Sequence, residues 1–161
     1  MPAHFKPSIG TGDLGFTDLL GGRRVPKTHR RVKLNALLDE LSAMIGLLRT
    51  GLRARRLRAG LASAQAGLVK ASGAIAGSGA CLSAETKALE RLIEELSEAV
   101  KPPKKFVLPG ANETEALAHL ARSRTRTCEI LAWELKEKNA AVYLNRLSDY
   151  LFLAALTAAK K

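Results

Sequence analysis

Apolar residues recur every third or fourth position along five stretches of this chain, a period that predicts helices. From about Arg31 to Arg49 the seam is Leu34, Leu37, Leu38, Leu41, Ile45 and Leu48. Gly51 interrupts it, and residues 52–76 read as a second helix. Gly77-Ser78-Gly79 is a turn, after which Ser83, with Glu85 and Glu90, opens a third helix. Its core positions are Leu89, Leu92, Ile93, Leu96 and Val100, and Pro102-Pro103 ends it. A fourth helix runs from Glu115 to Leu135 on the seam Leu117, Ala121, Cys128, Leu131 and Leu135, with Asn112 or Thr114 as its cap. The last spans about Ala140 to Ala159 on Leu144, Leu147, Leu151 and Ala155. Residues 1–30 show no such period and read as a loop or arm rich in Gly, Pro and basic residues. Lys104 to Gly110 is an unusually apolar connector, and Phe106 within it reads as a core plug more readily than as a ligand contact. The expected fold is all-α, an up-down bundle of about five helices over 31–161 with a basic N-terminal arm over 1–30.

The polar faces carry the candidate chemistry. At about 100° per residue, Arg122, Arg126, Glu129 and Trp133 share a narrow wedge of the fourth helix. Two guanidinium groups one turn apart repel, so the pair needs either open solvent or an anion between them, and both readings stand. On the last helix Asn145 and Asp149 stack one turn apart with Arg146 alongside, and the arginines of the fourth helix would serve as their partners. Asp39 could pair with an Arg of another helix or stay exposed.

Charge sharpens this picture. The net charge is +11, and residues 1–70 hold 13 Lys/Arg against 4 Asp/Glu. Such an excess attracts polyanions, whether nucleic acid or phosphorylated small molecules. Arg53, Arg55, Arg56 and Arg58, crowded at the start of the second helix, read as a surface feature. Two cysteines, Cys81 and Cys128, make no disulfide or metal framework, and no apolar run is long enough to span a bilayer, so a reducing cytoplasm is the expected setting.

Gly10-Thr11-Gly12-Asp13-Leu14-Gly15 fits the dinucleotide fingerprint G-x-G-x-x-G. That fingerprint requires a strand before it and a long helix after it; here Pro7 stands on the N-terminal side and Gly21-Gly22 breaks the C-terminal side, which argues against a Rossmann unit. Backbone amides of a Gly-rich loop can still approach phosphate closely, Thr11 and Thr17 add hydroxyls, and Asp13 could help hold a phosphate-bound metal.

Taken together, the chain resembles the PduO-type ATP:cob(I)alamin adenosyltransferases along nearly its whole length. The resemblance rests on Thr11-Gly12-Asp13 with Gly15 and Thr17, on Gly22-Arg23-Arg24 with Pro26-Lys27, and on Asp39-Glu40-Leu41. It continues through Phe106 to Gly110, His119 with Arg122, Arg126 and Glu129, and most specifically Tyr143 to Phe152. What it implies is a homotrimer with active sites between subunits, binding ATP with Mg2+ and taking cobalamin as substrate. By this resemblance Thr11, Gly12, Asp13, Thr17, Lys27, Arg122, Arg126, Glu129, Asn145, Arg146 and Asp149 belong to the nucleotide site. Asp39 would pair with Arg126 across the interface, and Phe106 would lie under the corrin. The family further implies a reductase and a cobalamin-dependent enzyme as partners; nucleic acid and membrane are not expected.

Four cations of the family pattern are replaced here, by Gly10, Leu14, Thr127 and Ile130. Arg124, Arg24 and His29 are the residues that could compensate. The alternative these departures leave open is a non-catalytic relative that keeps a nucleotide or cobalamin site without turnover.

Overall fold

The computed structural model describes residues 9–101 and 103–160; the opening MPAHFKPS, including Pro7, and also Pro102 and Lys161 lie outside the described residues. Leucine at helical spacing builds α1 (Arg30–Gly51), which buries Leu34, Leu38, Leu41, Ile45 and Leu48, while Leu37 packs at the edge of the core. His29 caps it, its Nδ1 accepting from the Arg31 backbone N–H at 3.2 Å. The second helix, α2 (Arg55–Gly73), continues through a π-helical turn at Ala74–Ser78 whose Ile75 is buried.

Small residues on α2 let two tyrosines of α5 (Lys138–Ala158) reach its backbone. Tyr143 lies over Gly67 and donates its hydroxyl to the Ala64 carbonyl at 2.9 Å, and Tyr150 lies over Gly60. Burial pushes the Tyr150 phenol up to about 12 and raises that of Tyr143 as well.

The third helix, α3 (Ser83–Ala99), sits at the periphery. Leu89 is its one fully buried residue, whereas Leu92, Ile93 and Leu96, expected in the core, lean against it half-buried. In α4 (Glu113–Glu134) the innermost positions are Ala118, Ala121, Thr125, Cys128 and Ala132. The expected leucines Leu117, Leu131 and Leu135 flank that row half-buried, because α4 and the alanine-rich α5 form the most extensive helix pair and only small side chains fit between them. Asn112 caps α4 by accepting from the Glu115 N–H at 3.0 Å and also donates to the Ala158 carbonyl at 2.8 Å, tying the start of α4 to the end of α5.

Two expectations need correction. The arm is not wholly irregular: β1 (Phe16–Asp18) and β2 (Arg24–Pro26) pair antiparallel with Thr17 opposite Val25, and Val25 is buried. This hairpin also disposes of the Rossmann pattern, since Gly10–Gly15 leads into a strand and not a helix. Phe106 is no core plug; it stands 94% exposed in the α3–α4 connector, where no neighbouring element covers it. The arginines at the start of α2 are exposed as expected, with Arg56 paired to Glu95. Among the described residues no helix is long and apolar enough to cross a membrane, and both cysteines are free, with burial raising the Cys128 thiol to about 12.

Candidate functional site

Two polar centres emerge. The first belongs to the arm, where the turn before β1 and the two strands enclose an open concavity of about 340 Å³. Thr11, Gly12, Asp13, Thr17 and Lys27, five residues singled out from the sequence, all line it. A Cβ at Gly12 would stand 2.7 Å from the Lys27 ammonium, so the missing side chain at Gly12 is what lets this cation reach the loop backbone. Arg24 lines the same space; its guanidinium donates to the Thr11 carbonyl at 3.2 Å, lies 3.6 Å from the Asp18 carboxylate and stacks 6.0 Å from the Phe16 ring centroid. Of the three residues able to compensate for missing cations, Arg24 alone lines this concavity. Arg124 is paired with Glu40 at 3.0 Å, and the His29 ring is engaged in capping α1.

The second centre joins α4 to α5. Glu129, only 7% exposed, accepts from Arg126 at 2.7 Å through one oxygen and from the Asn145 amide at 3.2 Å through the other. Asn145 in turn accepts from Arg146 at 2.7 Å, and Arg146 donates to Glu90 of α3 at 3.0 Å. The expectation that the α4 arginines themselves would satisfy Asn145 is therefore corrected: both side chains converge on the carboxylate between them. Asp149 is exposed and accepts no hydrogen bond among the described residues; burial of its surroundings raises its carboxyl above the usual range, against Arg146 and Arg126, which lower it. Trp133, at the end of the expected wedge, is 48% exposed.

Arg122 turns the other way. Its Nε donates to His119 Nδ1 at 3.4 Å and its guanidinium lies 6.0 Å from the Phe152 ring centroid, with the His119 ring edge-on to the same phenyl. Arg122 is half-buried and Arg126 half-exposed, so neither is a freely solvated cation, but only Arg126 stands in the cluster that includes Asn145.

Asp39 is exposed on α1 and does not meet Arg126 within the chain; its neighbour Glu40 takes Arg124 instead. The arm concavity and the α4–α5 cluster share no lining residue within one chain. Two participants were not singled out as site residues from the sequence: Glu90, whose reach to Arg146 crosses helices, and Glu115, whose i,i+4 spacing to His119 was a legible signal. Among the described residues no group of three or more His, Cys, Asp or Glu could hold a metal by itself.

A family model described as cobalamin adenosyltransferase matches residues 8–158. Over 164 residues the chain is 34% identical to a corrinoid adenosyltransferase of Citrobacter freundii, with 90% of each protein covered. It is 35% identical over 158 residues to the corrinoid adenosyltransferase PduO of Salmonella typhimurium, where 90% of this chain spans 47% of the longer protein. Its fold superposes with a TM-score of 0.84 on a variant PduO-type ATP:corrinoid adenosyltransferase from Lactobacillus reuteri complexed with cobalamin and ATP, at 27% identity, covering 96% of this chain and 91% of that one.

Proposed function

Because this chain belongs to the cobalamin adenosyltransferase family, we propose that it transfers the 5′-deoxyadenosyl group of ATP to cob(I)alamin and releases triphosphate. The cobalt(I) lone pair attacks C5′ of ATP; a cobalt–carbon bond forms as the C5′–O bond breaks, and that electron pair leaves on the triphosphate. Negative charge grows on the leaving group, so cations fixed beside it lower the barrier. The protein's other task is to hold cobalt and C5′ in line.

The observation that carries this reading is the convergence of Thr11, Gly12, Asp13, Thr17 and Lys27 on one concavity. In the reading, residues 1–30 act as a nucleotide-binding arm on the 31–161 bundle. Loop amides, both threonine hydroxyls and Lys27 hold the phosphates, and Asp13 would supply a carboxylate to a phosphate-bound Mg2+, an ion that usually takes one or two carboxylates alongside phosphate and water. Arg122, Arg126 and Asn145 face the nucleotide from α4 and α5, Glu129 orients Arg126 and Asn145, and Arg146 with Asp149 flanks them.

These two centres act together in a homotrimer in which the arm of one chain meets the α4–α5 cluster of the next, and Asp39 of the partner subunit pairs with Arg126. An Asp39 that meets no arginine in its own chain supports that arrangement, as do two half-sites without a shared lining residue. Phe106, exposed on its connector, would lie under the corrin and disfavour a lower axial ligand, which eases reduction of the cobalt. A reductase supplies that electron, a cobalamin-dependent enzyme receives the product, and the cytoplasm is the setting.

Anaerobic incubation with cob(I)alamin and Mg-ATP, followed spectrally, tests the proposal. Adenosylcobalamin is the expected product; none at saturating substrates would overturn the reading in favour of a non-catalytic relative. The assembly is checked by light scattering, where the expected mass is three times the 17.3 kDa chain.

A further inference from the structure

Glu115 lies one turn into α4 and is 1% exposed, yet it is a carboxylate. Burying such a group is costly unless its oxygens are satisfied. One oxygen accepts from the backbone N–H groups of Gly110 at 2.8 Å and Ala111 at 3.1 Å. The other lies 3.1 Å from His119 Nε2. His119 is itself 4% exposed and takes the Arg122 guanidinium on its far nitrogen. That arrangement is consistent with a neutral ring whose Nε2 carries the proton.

The two amides belong to the connector that carries Phe106. Phe106 is 94% and Leu108 81% exposed, so apolar packing does little to hold this segment. The bonds to Glu115 are the hydrogen bonds that residues 103–111 make among the described residues. The anchor is firm on its other side, because Asn112 ties the first turn of α4 to the end of α5.

We propose that Glu115 is a positioning residue that sets the height and orientation of the Phe106 loop. The role deepens the adenosyltransferase reading and rests on it. Glu115 touches neither substrate; its effect on the reaction passes through Phe106, so it bears on the corrin side of the site and leaves the arm's phosphate contacts alone.

Two variants of the full chain separate a tether from a merely buried acid. Glu115→Asp keeps the charge but draws the carboxylate back by about one C–C bond, roughly 1.5 Å, out of reach of the amides. Glu115→Gln keeps the length and a carbonyl oxygen able to accept from both amides. Amide hydrogen exchange on the protein without ligands should accelerate about tenfold at Gly110 and Ala111 in Glu115→Asp, and stay within about threefold of wild type in Glu115→Gln. In steady-state assays Glu115→Asp should lower kcat/KM for cobalamin by about tenfold while the KM for ATP moves by less than about twofold, and Glu115→Gln should largely restore the former. Equal exchange in both variants, or parallel changes for ATP and cobalamin, would overturn the proposal. Wild-type protein that forms no adenosylcobalamin would overturn the function instead, and the exchange comparison would still decide the tether.

Discussion

Replacing Glu129 by alanine removes the carboxylate on which two helices converge, and the structure sets the size of the effect. The bond to Asn145 joins α4 to α5 in half-buried surroundings, and a hydrogen bond to a charged group there contributes about 1.5–3 kcal/mol. The bond to Arg126 involves a side chain that is 50% exposed and so falls in the range of surface pairs, under about 1 kcal/mol. The expected loss is about 2–4 kcal/mol, which in a chain of this length lowers Tm by roughly 5–12 °C. Arg126→Ala removes only the exposed partner and should cost about 1 kcal/mol or less, while lowering adenosyl transfer by about 10- to 100-fold if the guanidinium meets the leaving group. Urea unfolding followed by circular dichroism at one fixed protein concentration measures the stabilities, because assembly makes them concentration-dependent. A double-mutant cycle of Glu129→Ala with Asn145→Ala should show a coupling of about 1–2 kcal/mol. Additive effects, or a Glu129→Ala protein melting within about 2 °C of wild type, would show that the carboxylate does not join the two helices.

Gly67→Ala should destabilise the bundle by about 1–3 kcal/mol or more in urea titrations, because the new Cβ would lie against the Tyr143 hydroxyl and 2.6 Å from its ring carbon Cζ. Burial holds the His119 imidazole below its ordinary 6.5 in spite of Glu115, which raises it. The unfolded chain therefore takes up that proton first as pH falls; this contribution to stability is complete above pH 6.5 and is lost as pH drops from there through the folded value. Urea midpoints on either side of that range should show the decline, and His119→Gln should flatten it. Phe106→Ala should leave stability within about 0.5 kcal/mol of wild type, given its exposure, while slowing adenosyl transfer. Ile130→Arg, at a position 55% exposed beside Glu129, should tighten ATP binding by about tenfold in calorimetry if that face meets triphosphate.

The helices were legible because leucine at a 3.6-residue period is a strong signal, and α1 buries nearly the set it announces. In α4 the same signal pointed one step off the true centre. Leu117, Leu131 and Leu135 are more apolar than Ala118, Thr125 or Ala132, yet close packing against α5 selects by size and places the small residues innermost. Strands of three residues carry too few alternations to register, which hid the arm's hairpin. An apolar residue in a connector reads as core on composition alone, which cannot tell whether the fold covers it, and Phe106 is left exposed. The polar cluster was half legible: spacing put Arg126 with Glu129 and Asn145 with Asp149, but which side chain sits between the helices depends on how they are rotated against each other. Asp39 and Arg126 do not meet within one chain, so the expected pair belongs to the intersubunit contact proposed above.

The four positions where the resemblance leads one to expect cations bear on how this chain would handle a polyanion. Gly10, Leu14, Thr127 and Ile130 are all exposed, so no demand of the core accounts for the missing charges. Lys27 and Arg24 are the cations that line the arm concavity, while Arg124 is committed to Glu40. Short-range contacts to triphosphate are thus fewer, and each contact to a charged group is worth about 1.5–3 kcal/mol. The long-range field is a separate matter, because residues 1–70 still carry 13 Lys/Arg against 4 Asp/Glu. A field of that kind speeds encounter and weakens with salt, whereas fixed contacts govern how long the ligand stays. A basic surface around a site with few fixed cations therefore favours rapid capture of ATP, with a marked dependence on ionic strength, and rapid release of triphosphate. In the adenosyl-transfer reading proposed above, turnover then rests on the cations that remain, Arg126 foremost, standing where the leaving group's charge would develop.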